Sequence, residues 1–246
     1  KQFCCISIEN QFSMKFKKNA IACALMSALF FFALDANATV RYVRAGGTGD
    51  GSSWANASGE IQLMINASVY GDQVWVAEGS YADVNYYNYS GPYGSCSFVM
   101  KNGVALYGGF PATGNPGMAQ RDWANHVTIL NGDTDLSGTP TYEDALHVLV
   151  CESADNTTRL DGFTITSGGH SYPFNPDFNN WGFGGGMYNT FYASPTVANC
   201  TFTNNMALRN ADFTGGGAVS NDDRSHPTFV NCTFTDNSAV RYGGAI

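Results

Sequence analysis

A segment in the second half of the chain recurs after 32 residues, and this repeat restricts the possible folds most strongly. Residues 194–205 read SPTVANCTFTNN, and residues 226–237 read HPTFVNCTFTDN. A glycine pair followed by two further residues also recurs, at Gly185–Tyr188, Gly216–Val219 and Gly243–Ile246. Self-similarity at a fixed period of about 20–45 residues is typical of a solenoid, in which each repeat packs only on its neighbours.

The pattern inside each repeat decides which kind of solenoid is formed. Cys200 and Phe202 alternate with Thr201 and Thr203, and the later copy alternates in the same way. A period of two in Thr, Val, Phe and Ile indicates strands, and no repeat contains a helical period. The sequence therefore predicts an all-β fold, a parallel β-helix whose short strands stack about 4.8 Å apart.

Asparagines occupy the same place in successive repeats, just before the alternating strand. Asn199 and Asn231 are one period apart, and asparagine tolerates the left-handed backbone of a sharp bend. We interpret the two residues as a ladder of stacked side-chain amides inside that bend. A ligand-binding asparagine pair is the functional alternative.

Cysteine and phenylalanine fall on the apolar phase of the same repeat. The pairs Cys200 and Cys232, and Phe202 and Phe234, are each one period apart, so both pairs are predicted to stack in the interior. A disulfide between adjacent turns is the alternative for the cysteines, since disulfides occur in exported chains. Metal binding is disfavoured because no histidine accompanies the cysteines at ligand spacing.

The N-terminal residues read as a leader peptide and are excluded from the fold. Lysines after Met14 precede the apolar run Ile21–Leu34, and Ala36–Ala38 forms a small-residue cleavage signal. Residues 14–38 are therefore predicted to be a signal peptide, and residues 1–13 to be translated upstream sequence. The apolar run is too short for a comfortable membrane span, so no transmembrane span is expected in the mature chain.

The remainder divides into an N-terminal part and a repetitive part. Residues 39–110 are predicted to form a cap and the first turns, and residues 111–246 to form further turns, with clear repeats from about residue 160. Glu60–Ser68 is the one credible amphipathic helix, with apolar Ile61, Met64 and Ile65. A helix at this position would cover the open end of the core and its exposed sheet edges.

These segments resemble exported bacterial right-handed β-helix proteins of the polymorphic outer-membrane protein type. Two short signatures carry the resemblance in the repeats, the glycine motif given above and FxxN at Phe202–Asn205 and Phe234–Asn237. The N-terminal part carries it in the following stretches: Tyr42–Val43, Gly51–Ala55, Gly71–Ala77, Asn102–Phe110, Arg121–Trp123 and Leu160–Ile165.

The resemblance implies a passenger at the bacterial outer-membrane surface or outside the cell, structural and adhesive, with a surface protein or carbohydrate as ligand. In such proteins a C-terminal module handles export or anchoring. We expect the sequence to be a C-terminally truncated fragment that self-associates through its last turn. The formal net charge is −8, and no basic cluster follows the leader, so nucleic acid is not an expected partner.

A carbohydrate-active β-helix enzyme, either a polysaccharide lyase or a polygalacturonase-like hydrolase, is the alternative function. The adjacent acids Asp222 and Asp223, with His226 nearby, form one carboxylate pair of the kind that hydrolysis needs. The Gly-His-Gly and Arg-x-Lys elements of the polygalacturonase pattern are missing. We therefore favour a solvated loop for this pair, with any catalytic turns beyond the given sequence, and assign no catalytic residue.

One acidic segment matches part of a calcium-loop pattern. Asp133, Asp135 and Asp144 stand at positions 1, 3 and 12, and oxygen ligands on alternate residues suit Ca²⁺. Pro140 interrupts the loop, and strands are predicted on both sides. A polar turn is therefore the favoured interpretation, calcium is the one cofactor considered, and no other cofactor is expected.

Two aromatic clusters are candidates for ligand contact. One lies within residues 171–183 and contains Tyr172, Phe174, Phe178 and Trp181, and the other contains Tyr86, Tyr87, Tyr89 and Tyr93. Aromatic loops on a rigid scaffold suit stacking on sugar rings or contact with a protein. The alternative is that they fold back over the flank of the solenoid.

Overall fold

Nineteen short strands, numbered in chain order, form the framework of the described part of the molecule in a computed structural model. The structure describes residues 38–82, 86–88, 94–135, 137–138, 144–169, 183–207, 215–240 and 242–246. Most of the strands belong to three all-parallel sheets, in which adjacent strands come from successive turns of the chain.

The first sheet has six strands and the second has five. The first contains β1 (Val40–Val43), β2 (Gln73–Ala77), β7 (Ala105–Phe110), β10 (Arg159–Asp161), β13 (Thr196–Ala198) and β17 (Thr228–Val230). The second contains β3 (Gly79–Tyr81), β8 (Thr128–Asn131), β11 (Thr164–Thr166), β14 (Thr201–Thr203) and β18 (Thr233–Thr235).

The third sheet has four strands, and two small pairs complete the strand set. The third sheet contains β6 (Phe98–Met100), β9 (Leu149–Glu152), β12 (Met187–Thr190) and β16 (Val219–Asn221). The pairs are the antiparallel β4 (Tyr86–Asn88) with β5 (Gly94–Cys96) and the parallel β15 (Met206–Ala207) with β19 (Ser238–Ala239).

The chain visits the first, second and third sheets in turn and then returns to the first. In the first sheet Leu106, Leu160, Val197 and Phe229 are register partners along successive strands. The result is a parallel β-solenoid of about five turns, which confirms the fold class predicted from the repeat.

The core is a continuous apolar column enclosed by the three sheets. Because side chains alternate across a strand, each strand contributes every second residue to the interior. Leu160 from the first sheet, Ile165 from the second and Met187 from the third are fully buried in one cluster. Phe229, Cys232 and Phe234 of the last described turn pack on this cluster but are only partly buried.

The only α-helix among the described residues is α1 (Ile61–Ala67), which lies within the predicted range. Ile61, Met64 and Ile65 are its buried residues, and it contacts β1, β2 and β6. Arg41 Nη2 donates to the carbonyl oxygen of Ala67 at 2.7 Å, so a cation satisfies the C-terminal end of the helix. This position is consistent with the predicted cap.

Connections between the sheets are long mainly at one corner of the solenoid. From the second sheet to the third the chain runs through residues 82–97, 132–148, 167–186 and 204–218. The connections from the third sheet to the first are short and consist of residues 101–104, 153–158, 191–195 and 222–227. The connections from the first sheet to the second are shorter still, except residues 111–127. We call the junction of the second and third sheets the loop corner.

A search of the described residues for membrane-spanning helices found no helix with both the length and the apolar character that a span requires.

Candidate functional site

Asparagine side chains of successive turns are hydrogen-bonded at the bend between the first and second sheets. Asn231 Nδ2 donates to Asn199 Oδ1 at 2.8 Å, and Asn199 Nδ2 donates to Asp161 Oδ1 at 2.9 Å. Asn199 and Asn231 have φ angles of 51° and 52°, the left-handed conformation that asparagine tolerates. The ladder therefore includes a carboxylate, Asp161, one turn before the asparagines.

Asp161 is a buried ionic centre that links the ladder to the 111–127 connection. Arg121 Nη2 lies 2.6 Å from Asp161 Oδ1, and Arg159 Nη2 lies 2.5 Å from Oδ2. Burial raises the pKa of this carboxyl, but the hydrogen bonds from Asn199, Arg121 and Arg159 outweigh burial and hold the pKa below its usual value. The group therefore stays ionised.

A second ladder lies at the bend after the second sheet, on the last residue of each FxxN motif. Asn205 Nδ2 donates to Asn237 Oδ1 at 3.0 Å and to the carbonyl oxygen of Ile165 at 2.9 Å. Asn205 Oδ1 accepts the amide of Gly168 at 3.1 Å, and Asn237 Nδ2 donates to the carbonyl oxygen of Phe202 at 2.8 Å. The motif asparagine thus satisfies buried backbone groups of adjacent turns.

A third asparagine pair, one buried and one exposed, lies on the third sheet. Asn189 Nδ2 donates to Asn221 Oδ1 at 2.9 Å, and the register partner of Asn189 on the preceding turn is Cys151. Asn189 is fully buried, and its Oδ1 has no hydrogen-bond partner among the described residues. The sequence patterns did not predict the Asn189–Asn221 contact or the Asn205–Asn237 contact, although the FxxN motif ends at Asn205 and at Asn237.

Phenylalanine and cysteine side chains of the repeat lie on successive turns of the solenoid. The rings of Phe202 and Phe234 are parallel within 9°, with centroids 5.1 Å apart. Cys200 and Cys232 are free thiols, one buried and one half-buried. Burial raises the pKa of Cys200, whereas the hydrogen bond from Cys200 lowers the pKa of Cys232 to about 7.

The glycine pairs stack at the end of the loop corner, where the chain enters the third sheet. Gly184 donates its amide to the carbonyl oxygen of Gly216 at 2.9 Å, and Gly216 donates to that of Gly243 at 3.0 Å. A Cβ atom at Gly185 would lie 2.5 Å from the oxygen of Met206, and one at Gly217 would lie 2.2 Å from the oxygen of Ser238. Adjacent backbones approach so closely that only glycine fits.

The aromatic candidates belong to connections at the loop corner. Tyr172, Phe174, Phe178 and Trp181 fall in the connection 167–186 and lie outside the described residues. The second aromatic cluster falls in the connection 82–97, of which the backbone of β4 is described. By their position in the sequence, both clusters therefore belong to connections between the second and third sheets.

The structure brings the three predicted calcium ligands together in the connection 132–148. Carboxylate oxygens of Asp133, Asp135 and Asp144 all lie within 4.8 Å of one another. Backbone amides already engage all three, because Asp133 accepts from Gly138 at 2.8 Å, Asp135 accepts from Ser137 at 2.9 Å and Asp144 accepts from Thr134 at 3.1 Å. Hydrogen bonds from Ser137 also lower the pKa of Asp135. The cluster supplies part of the six to eight oxygen ligands, approximately, that Ca²⁺ requires.

The acid pair considered for catalysis lies on the exposed connection 222–227. Asp222 Oδ2 accepts the hydroxyl of Tyr188 at 3.1 Å, and Asp223 Oδ2 accepts that of Thr190 at 3.3 Å. Burial raises the pKa of Tyr188 to about 12, so this phenol remains a donor. Each carboxylate is thus hydrogen-bonded to the strand of the preceding turn, which is the arrangement of a polar turn.

Comparison with known families gives one match at the last repeat. Residues 231–246 match the Chlamydia polymorphic membrane protein repeat. The chain is a parallel β-solenoid that carries a polymorphic membrane protein repeat. The matching family is one of Chlamydia outer-membrane proteins. No curated protein and no solved structure matches the chain at a significant level.

The matched repeat coincides with the structural features described above. It begins at the ladder residue Asn231 and contains the stacked Phe234, the second-ladder Asn237 and the glycine corner at Gly243. The polymorphic membrane protein repeat is therefore, in physical terms, a set of groups that hydrogen-bond or pack on the turn before.

Proposed function

We propose that the chain is an exported surface passenger whose solenoid displays adhesive loops. The observation that supports this proposal is the loop corner. Four long connections join the second sheet to the third at this corner, whereas the connections between the third and first sheets are short. Binding residues are commonly placed on loops held by a rigid scaffold.

The scaffold is suited to this role because its bends are fixed by side-chain hydrogen bonds as well as by the sheets. The Asn199 and Asn205 ladders connect turns on both sides of the second sheet. Side chains locked in this way restrict the ends of each loop, so less conformational entropy is lost when a ligand binds. The match to a repeat of outer-membrane proteins supports display at a cell surface.

A surface protein or a carbohydrate is the ligand class that this proposal names. The chain is acidic, with a net charge of −8, so the phosphate backbone of nucleic acid would be repelled. The aromatic residues Tyr172, Phe174, Phe178 and Trp181 belong to a connection of the loop corner and would supply the apolar contact area.

Adhesion of beads coated with the purified chain tests the proposal. We expect the beads to bind cultured epithelial cells at least about tenfold more than albumin-coated beads do. Serine at the four aromatic positions should remove most of this binding. A control with serine at the four residues 209–212, in another connection of the same corner, should keep it. Binding no better than that of albumin beads would refute the adhesive role.

The same preparation also tests the alternative function. A carbohydrate-active enzyme would release reducing ends from polysaccharides such as pectin, which a pure adhesin does not do. Release that persists in the serine variant but is lost in an Asp222→Asn variant would favour the enzyme.

A further inference from the structure

Two bulky aromatic residues occupy an exposed turn between the third and first sheets. Phe191 and Tyr192 begin the connection 191–195 and are 51% and 63% exposed. Among the described residues, the Phe191 ring contacts no other aromatic ring and no cation. Core packing therefore does not account for the choice of these side chains.

The backbone at this turn disfavours the side chains that it carries. Phe191 and Tyr192 have φ angles of 52° and 63°, and the equivalent residues of the next turn, Asp223 and Arg224, have 45° and 60°. Two successive left-handed residues are typical of a tight turn that prefers Asn-Gly or Asp-Gly. Bulky residues in this region are strained, and such strain concentrates at functional sites.

The turn is held firmly by its neighbour. Tyr192 donates its amide to the carbonyl oxygen of Asp223 at 3.0 Å, and Ala193 donates to the buried Ser225 hydroxyl at 3.1 Å. The Arg224 guanidinium lies 5.8 Å from the centre of the Tyr192 ring and donates to its hydroxyl at 3.3 Å. The tyrosine is thus fixed in an exposed position before any ligand arrives.

The polar groups beside the rings define the chemistry of a ligand. Asp223 presents carboxylate acceptors, Arg224 presents guanidinium donors, and both side chains are exposed. Hydroxyl groups both donate and accept hydrogen bonds, and an aromatic face attracts the positive edge of C–H groups. With Asp222 included, this patch carries two negative charges and one positive charge, which disfavours an acidic ligand.

We propose that Phe191, Tyr192, Asp223 and Arg224 form a binding site for a neutral oligosaccharide. The sugar rings stack on the two aromatic rings, and their hydroxyls bond to the carboxylate and the guanidinium. This site rests on the proposed surface function and assigns a ligand class to a corner other than the loop corner.

The test replaces the aromatic pair with the residues that the turn prefers. A Phe191→Asn/Tyr192→Gly double variant relieves the strain, so its thermal midpoint should rise by about 2–4 °C. On a printed array of neutral and acidic oligosaccharides, its binding to neutral sugars should fall about tenfold or more, as expected when contact hot spots are truncated. The matched control Tyr242→Ala removes an equally exposed tyrosine at a different corner and should bind as the wild type does.

A second variant keeps the turn intact and removes only one polar group. Asn in place of Asp223 accepts the left-handed backbone, and the Asp223→Asn variant should fold normally and bind several-fold more weakly. A lower thermal midpoint for the double variant would show that the aromatic pair is structural and would overturn the site. Equal binding by wild type and double variant, or binding of acidic sugars alone, would also overturn it.

The outcomes separate this site from the proposed function. If wild-type beads adhere to cells but the chain binds no neutral sugar on the array, the site is wrong and the surface role stands. If the double variant loses sugar binding while the four-serine loop variant keeps it, the site is supported independently of the loop corner.

Discussion

Replacing Asn205 with alanine should destabilise the solenoid strongly, although it removes no charge and only a small side chain. Asn205 is about 1% exposed and lies between two turns. Its amide accepts the N–H of Gly168 and donates to the carbonyl of Ile165, and both of these residues are buried. Alanine would leave the Gly168 N–H without this partner and would remove one hydrogen bond from the Ile165 carbonyl, which also lies in the β11–β14 ladder.

The magnitude follows from the desolvation of those groups. A buried donor or acceptor that loses its partner costs about 1–3 kcal/mol. The Gly168 N–H is such a group, and the lost hydrogen bond to the Ile165 carbonyl adds about 0.5–1.5 kcal/mol, so the loss in the free energy of unfolding should be on the order of 2–4 kcal/mol. Because repeats in a solenoid are coupled mainly to their neighbours, the loss should be greatest at the turns on either side of residue 205.

Urea denaturation followed by far-ultraviolet circular dichroism measures the loss, and native-state hydrogen exchange locates it. The matched control is Asn156→Ala, which makes the same chemical change on an exposed turn and should alter stability by less than about 0.5 kcal/mol. A loss for Asn205→Ala no larger than that of the control would refute the reasoning, because water would then have replaced the amide.

Three further predictions concern ionisable groups. Because the pKa of Asp161 is lowered below 3.8, the ionised form stabilises the fold above that pH, and the benefit is lost as the pH falls through and below it. The wild type should therefore lose more stability between pH 5 and pH 3 than Asp161→Asn does, and equal losses would contradict this. At pH 8 iodoacetamide should modify Cys232 before Cys200, since the thiolate is the nucleophile. Both should react after denaturation without reductant, and protection by a mutual disulfide, seen by mass spectrometry, would contradict the free-thiol arrangement. Because a polar turn is the favoured interpretation of the Asp133, Asp135 and Asp144 cluster, calcium and its chelation should leave the thermal midpoint of the wild type unchanged. A rise with calcium that Asp135→Asn abolishes would show instead that the cluster binds the ion.

The strand framework could be predicted from the sequence because alternation and the repeat interval are local properties. The apolar phase of Cys200 and Phe202 predicted their burial, and the structure has both in the core. By contrast, β3 and β15 have only three and two residues, too few to show a period. They form because neighbouring turns supply partners, and the sequence of one strand does not contain that information.

The sequence indicated polar contacts only where successive repeats have the same residue type at the same position. Asn199 and Asn231 are both asparagine and were recognised, whereas Asp161 performs the same role with a different side chain. The direction of the Asn205 side chain depends on the bend that precedes it, so FxxN alone gave the position but not the contact. The turn at Phe191 and Tyr192 could not be predicted from the sequence, because it lacks the Asn-Gly or Asp-Gly pair that usually forms such a turn.

The constant separation of the stacked residues has a consequence for how such a chain changes in length. Asn189 with Asn221, Asn199 with Asn231, and Asn205 with Asn237 are each 32 residues apart in sequence. Deletion of residues 189–220 would place Asn221 in line with Cys151, where Asn189 now stands. Recombination within the gene that removes or adds one such unit therefore changes the number of turns while every ladder keeps its register.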